Sequence, residues 1–219
     1  LLDVTMEDLH DMPKQLYDGK IKKLREKTQG QLIVKEYPTA SAHAGHFKSL
    51  INELALKKSF RPDVIFIDYL NICASSRFKG GNISSYFYIK AIAEELRGLA
   101  VEHNVPIFSA TQTTRTGFVS TDIGLEDTSE SFGLPATADF MFALMSNEEL
   151  EALGQMKVKQ LKNRYNDPSV NRAFIIGVDR AKMRLYDVQQ SSQNIVNSNQ
   201  VDEKEDAYNK FSDFKLWPI

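Results

Sequence analysis

Apolar positions recur along the 219-residue chain with two different periods, and the periods alternate. Thr5-Met6-Glu7-Asp8 has the hydroxyl-then-acid pattern of a helix start, and apolar residues at 16, 17, 21 and 24 keep a helical spacing between Pro13 and Lys27. Gln31–Tyr37 reads as a strand ended by Pro38. His43–Lys58 returns to the helical period, with Phe47, Leu50, Ile51 and Leu54 on one face. Val64-Ile65-Phe66-Ile67 is an unbroken apolar run closed by Asp68, the form taken by a strand buried on both faces. Ser84–Asn104 predicts a long helix, Val105–Ala110 a second buried strand and Asp139–Met145 a third. Gln155–Arg164, Ala173–Val178 and Arg184–Val188 predict three strands at hairpin spacing. Strands separated by long helices need crossovers. The expected fold class is therefore α/β, an open, mainly parallel sheet with helices on both faces and antiparallel strands at its C-terminal end.

The pattern stops near residue 190. Gln189–Gln200 has only Ile195 and Val196 as apolar members, too few to pack a core, so a boundary and flexible linker are expected there. Tyr208, Phe211, Phe214 and Trp217 follow at spacings of three, which suits a short helix face or a peptide that docks on its own domain or on a partner. The expected organisation is thus a domain over 1–190 and a linker with an aromatic tail over 191–219.

Composition narrows the class without naming it. A hydrophobic fraction of 42% excludes collagen-like and wholly disordered chains. A single cysteine, Cys73, excludes an intramolecular disulfide framework, and no Cys/His cluster has zinc-site spacing. No apolar run approaches the length of a membrane span and no signal-peptide pattern opens the chain, so a reducing, aqueous compartment is expected. The chain begins Leu1-Leu2-Asp3 without Met, as a fragment would. Formal charge is only −2, but residues 156–184 hold Lys157, Lys159, Lys162, Arg164, Arg172, Arg180, Lys182 and Arg184 against Asp167 and Asp179. Such a region either meets phosphates or is a solvated charged hairpin.

Ligands of open parallel sheets sit outside the carboxyl ends of the strands. Asp68 ends one strand there. In phosphate-handling folds such an acid holds Mg²⁺ through water, since a hard cation takes oxygen ligands; a strand-end Asp also caps turns. Pro106–Gln112 delivers Gln112 beside Asp68 if the two strands are neighbours, where an amide senses a γ-phosphate or positions water. Ser75–Asn82, with Arg77 and Lys79, and Thr113–Asp122 are Gly/Ser/Lys/Arg loops at the same edge, suited to nucleic-acid phosphates as well as to ordinary surface. Lys162 and Arg164, two apart on a strand, share a face. That pairing fits an arginine finger with a supporting lysine, which places positive charge where a transferring phosphoryl group develops negative charge, and it fits a solvent-facing hairpin equally. No Gly-x-x-x-x-Gly-Lys-[Ser/Thr] occurs, and Gly19-Lys20 lacks both the earlier glycine and the following hydroxyl, so nothing in the chain cradles a β-phosphate. The four histidines are scattered and read as structural or surface groups.

Several of these stretches together carry a resemblance. Asp68-Tyr69-Leu70, the helix Lys90-Ala91-Ile92-Ala93-Glu94-Glu95-Leu96-Arg97, Gln112 with Arg115, Gly133-Leu134-Pro135-Ala136-Thr137-Ala138-Asp139 and Lys162-Asn163-Arg164 resemble the RecA-like motor domain of DnaB-type replicative helicases, in particular those paired with a primase in T-even-type bacteriophages. The resemblance runs over about 1–190. It implies a homo-hexameric ring that moves on single-stranded DNA by hydrolysing ATP or GTP with Mg²⁺, partnered by a primase and a helicase loader, in the cytoplasm of an infected host cell. It implies that Asp68 supports Mg²⁺, that Gln112 couples nucleotide state to the DNA loops, that Lys162 and Arg164 act in trans on a neighbour's nucleotide, and that Arg115 lies near the nucleotide. Glu130, Ser131 and Gly133 fall where the family touches the DNA backbone. Many members have an Arg before that Glu, where this chain has Ser129. The family's P-loop and catalytic glutamate lie upstream of the segment matching Leu1, so the chain is expected to be the post-P-loop part of a motor, inactive alone. A recombinase-type RecA core and a catalytically silent partner-binding module are the alternatives.

Overall fold

The structure is a computed structural model that describes residues 2–78, 83–113, 123–127, 133–167 and 169–189. The chain divides into two compact units, one formed by Ile33–Met141 with Leu161–Pro168, the other by Leu1–Leu32, Phe142–Gln160 and Ser169–Ile219. The expected linker and tail lie outside the described residues.

In the first unit a βαβ crossover places the chemistry. Helix α3 (Ala44–Lys58) is opened by two histidines: His43 Nδ1 accepts from the Gly45 amide at 3.0 Å, and His46 Nδ1 accepts from the His43 amide at 3.2 Å. Their structural reading holds, because imidazoles here satisfy orphan amides of the first turn. Strand β1 (Ile65–Ile67) runs parallel to β2 (Ile107–Ser109), with Ile65 opposite Ile107 and Ile67 opposite Ser109. Between them the 19-residue helix α4 (Ser85–His103) ends where Asn104 turns left-handed at φ 51°. Ile89, Ile92, Ala93 and Leu96 of α4 recur at helical spacing. They form the core with Leu70, Cys73 and, from the short helix α5 (Gly133–Thr137), Leu134. Burial pushes the Cys73 thiol up, which keeps it an inert apolar filler.

Two expectations need correction. Residues 31–37 form no strand: Leu32 and Val34 stand more than four-fifths exposed, and an extended segment becomes a strand only where a neighbouring backbone supplies the ladder. The β1 run is covered on one face only. Phe66 is 72% exposed and stacks on Phe108, its register partner, at a ring-centroid distance of 5.3 Å. The apolar run predicted cover on both faces, but in this unit α4 packs on one.

The second unit holds α1 (Met6–Asp11), α2 (Lys14–Lys27), α6 (Glu148–Ala152), β5 (Ala173–Asp179) and β6 (Arg184–Asp187). Strands β3 (Phe140–Met145) and β4 (Gln155–Asn163) each have residues in both units. The four-stranded sheet has the order β3-β4-β5-β6, and β4–β5 and β5–β6 are antiparallel, as the hairpin spacing predicted. Thr5 Oγ1 caps α1 by accepting from the Asp8 amide at 3.0 Å. Much of the basic region is used internally. Arg180 meets Glu151, and Asp3 takes both Lys182 at 2.9 Å and Arg184 at 3.3 Å. These three cations belong to a charged hairpin rather than to a phosphate site.

Among the described residues Ile92 is the most deeply buried large side chain, at 1% exposure, in the core face of α4. Ile92→Ala is expected to cost about 2–5 kcal/mol. Chemical denaturation measures it, and a loss under about 0.5 kcal/mol, the range of surface substitutions, would contradict this packing.

Candidate functional site

Asp68 and Gln112 arrive together because β1 and β2 are parallel neighbours. Asp68 follows β1 directly, is exposed, and its carboxylate has no hydrogen-bond or ion-pair partner among the described residues. The turn Leu70–Ile72 that follows has no side-chain cap, so Asp68 does not serve as one. The amide Nε2 of Gln112 donates to the Tyr69 hydroxyl at 3.4 Å, which ties the ends of the two strands. Beside them, Asn71 Oδ1 and Thr111 Oγ1 are buried without a hydrogen-bond partner among the described residues. The exposed Asp68 carboxylate at this strand edge suits a hard cation held through water. Among the described residues no group of three or more His, Cys, Asp or Glu is placed to hold a metal directly.

The loop after β1 is anchored at its root. Glu95 of α4 accepts from Ser75 Oγ at 2.5 Å, from the Ser76 amide at 3.0 Å and hydroxyl at 2.8 Å, and from the Arg77 amide at 3.4 Å. Partial burial alone would push this carboxyl up; the hydrogen bonds from Ser75, Ser76 and Arg77 outweigh it, so the group sits below the ordinary glutamate range. The Arg77 guanidinium pairs with Glu94 at 2.5 Å and stays half exposed. Arg77 is therefore the described part of a basic loop whose base is fixed to α4.

Lys162 and Arg164 do share a side, and both reach the C-terminal end of α5. Lys162 Nζ donates to the Pro135 carbonyl, and Arg164 Nη2 donates to the Ala136 carbonyl at 2.7 Å. Arg164 Nη1 also meets Asp139 at 3.1 Å, and Arg97 of α4 bonds the same Asp139 oxygen at 2.7 Å and the Thr137 carbonyl at 2.6 Å. Burial pushes the Lys162 ammonium below its ordinary range, Arg164 adds to the shift, and Asp139 opposes it. Gly133, the first residue of α5, is buried under Lys90, whose side chain a Cβ would meet at 3.0 Å. Among the described residues no hydrogen bond or ion pair joins the Asp68–Gln112 pair to the Lys162–Arg164 pair.

Lys79, Arg115, Glu130 and Ser131 lie outside the described residues. Sequence reasoning missed Glu95, Arg97 and Asp139 as members of the site. All three stand in the motif stretches, but their partners are 18 to 42 residues away, beyond any spacing rule.

The lowered carboxyl of Glu95 means that its hydrogen bonds stabilise the fold above the unfolded glutamate pKa, about 4.3, and that this contribution is lost as pH falls through the folded value. Glu95→Gln should lower stability at pH 7 by on the order of 1 kcal/mol and flatten its decline between about pH 5 and 3. Thermal unfolding across that range measures both. Parallel declines for the two proteins would contradict the clamp.

Against known proteins, no family model matches the chain. The DnaB-like replicative helicase of Enterobacteria phage T4 is 42% identical over 218 residues, covering 96% of this chain and 46% of the phage protein, so the chain spans about half the length of that relative. Among solved structures, an ATPase domain superposes with a TM-score of 0.69 at 16% identity, covering 86% of this chain and 67% of the other. A DnaB-like replicative helicase described with its interactions with primase superposes with a TM-score of 0.68 at 15% identity, covering 86% and 46%. These matches do not favour the recombinase or the silent-module alternative. Over the segment it spans, the chain is similar to DnaB-like replicative helicases, and its RecA-like α/β fold is that of the two solved structures.

Proposed function

We propose that this chain is the part of a hexameric DnaB-like replicative helicase that follows the phosphate-binding loop, and that it helps convert ATP or GTP hydrolysis into movement along single-stranded DNA. The observation that carries the reading is the placement of Asp68, partner-free among the described residues, with Gln112 at the carboxyl ends of two adjacent parallel strands, in a chain 42% identical to a phage replicative helicase. The phosphate cradle would come from outside these 219 residues, since no P-loop sequence occurs within them.

Asp68 would hold Mg²⁺ through water, with the Gln112 amide and Thr111 hydroxyl beside it; the ion, when bound, offsets negative charge on the terminal phosphates. Gln112 orients water or reads the γ-phosphate and passes that state to Tyr69 through the existing hydrogen bond. Lys162 and Arg164 serve in trans, with Arg115 near the same nucleotide. Their cationic ends add positive charge at the phosphoryl group of the neighbouring subunit, where charge develops in the transition state. Arg77, Lys79, Glu130 and Ser131 are proposed on the DNA side, where the Glu95 clamp fixes the origin of the first loop; Gly133, buried under Lys90, would serve that side by starting α5 rather than by touching DNA. A primase and a helicase loader are the proposed protein partners, and the cytoplasm of the infected host cell the proposed place of action. Among the described residues no helix is long and apolar enough to cross a membrane.

Two measurements test this. The isolated 219-residue chain should show no nucleotide turnover above buffer, and turnover at the level of a complete helicase would sink the reading. In the full-length helicase, Arg164→Ala should lower DNA-stimulated hydrolysis by about 10³-fold while nucleotide affinity changes only a few-fold. Unchanged hydrolysis would remove the finger role.

A further inference from the structure

The carbonyls of Pro135, Ala136 and Thr137 end a five-residue helix and so have no acceptor role within it. Each instead accepts from a different cation: Pro135 from Lys162, Ala136 from Arg164, Thr137 from Arg97. Cations at a helix C-terminus are favourable, because the unpaired carbonyls concentrate negative partial charge there. The only carboxylate bonded to the cluster among the described residues is Asp139, and one of its oxygens serves both Arg97 and Arg164. Three cations around one carboxylate leave the cluster net positive, a setting that attracts an anion of the phosphate class.

The three cations are not equivalent. Arg97 extends from α4, whose neighbouring residues Ile92, Ala93 and Leu96 are buried in the core. Lys162 and Arg164 come from the end of β4, with Arg164 just beyond the last strand residue. On the shared Asp139 oxygen, Arg97 takes the shorter bond, 2.7 Å against 3.1 Å. Arg97 is thus the fixed member and Arg164 the one more easily released.

We propose that Arg97 is a positioning residue for the Lys162–Arg164 pair: it holds the α5 carboxyl end and Asp139 in place when Arg164 leaves them for a neighbouring subunit's nucleotide, and by sharing the Asp139 oxygen it loosens Arg164. This rests on the finger reading above. Arg97 itself need not touch nucleotide.

The test uses the full-length helicase with Arg97→Ala, Arg97→Lys and Arg164→Ala, measuring hydrolysis with and without single-stranded DNA together with thermal unfolding. Arg97→Ala should lower the DNA-stimulated kcat about tenfold and leave the nucleotide KM within about twofold, the pattern of a displaced catalytic group rather than lost binding. A single Arg97 nitrogen, Nη1, makes both bonds; Arg97→Lys keeps a cation for Asp139 but on a compact ammonium with a different reach, so it should recover part of that loss. If Arg97→Ala matches wild type while Arg164→Ala is inactive, the positioning role is overturned and the finger stands. If Arg164→Ala is itself unimpaired, the finger reading fails, and this inference with it. If both Arg97 variants lose kcat, KM and thermal stability together, Arg97 supports the fold only and the proposal is likewise overturned.

Discussion

Burial of one face of α4 is the constraint on which the rest of the first unit depends. Ile89, Ile92, Ala93 and Leu96 fix the helix against the turn after β1 and against α5, so its remaining residues point at known places. Glu94 and Glu95 meet the loop leaving β1, and Arg97 meets the loop entering β3. One helix therefore sets the geometry of both polar ends of the unit. The apolar face supplies the stability, and the polar face uses it to hold groups that have no other reason to stay in register.

The two ends differ in charge logic. At the strand edge an acid, Asp68, stands without a protein partner among the described residues, which leaves its oxygens for a cation. At the α5 end three cations converge on carbonyls and one carboxylate, and burial, helped by the Arg164 charge, depresses the Lys162 ammonium. On the proposed reading, the Asp68 carboxylate would take a cation and the cation cluster an anion, as two halves of a phosphate-handling site. Nothing joins them directly within the described chain, an arrangement that suits two halves of composite sites completed between neighbouring copies in a ring.

Much of this was legible in the sequence, and the failures have physical causes. The helical periods of α3 and α4 survive because one face of each is buried, and the spacing 162/164 correctly put both cations on one side of a strand. The adjacency of Asp68 and Gln112 followed from two apolar runs separated by a long helix. Residues 31–37 misled because strand composition does not supply a partner backbone. The β1 run misled because apolar sequence reports what a strand can bury, whereas this unit covers only one of its faces. Glu95 and Arg97 stayed hidden because a helix-borne charge looks solvated in sequence, and their partners are fixed by tertiary contact rather than by local spacing.

The most direct test of the composite-site account is a subunit-mixing experiment on the full-length helicase. Asp68→Asn and Arg164→Ala proteins should each be inactive alone. Random mixing would place an intact Asp68 against an intact Arg164 at roughly a quarter of the subunit interfaces. DNA-stimulated hydrolysis rising from background on mixing is the result predicted for action in trans. Mixtures that stay at background, while wild-type subunits exchange freely into the same rings, would contradict it.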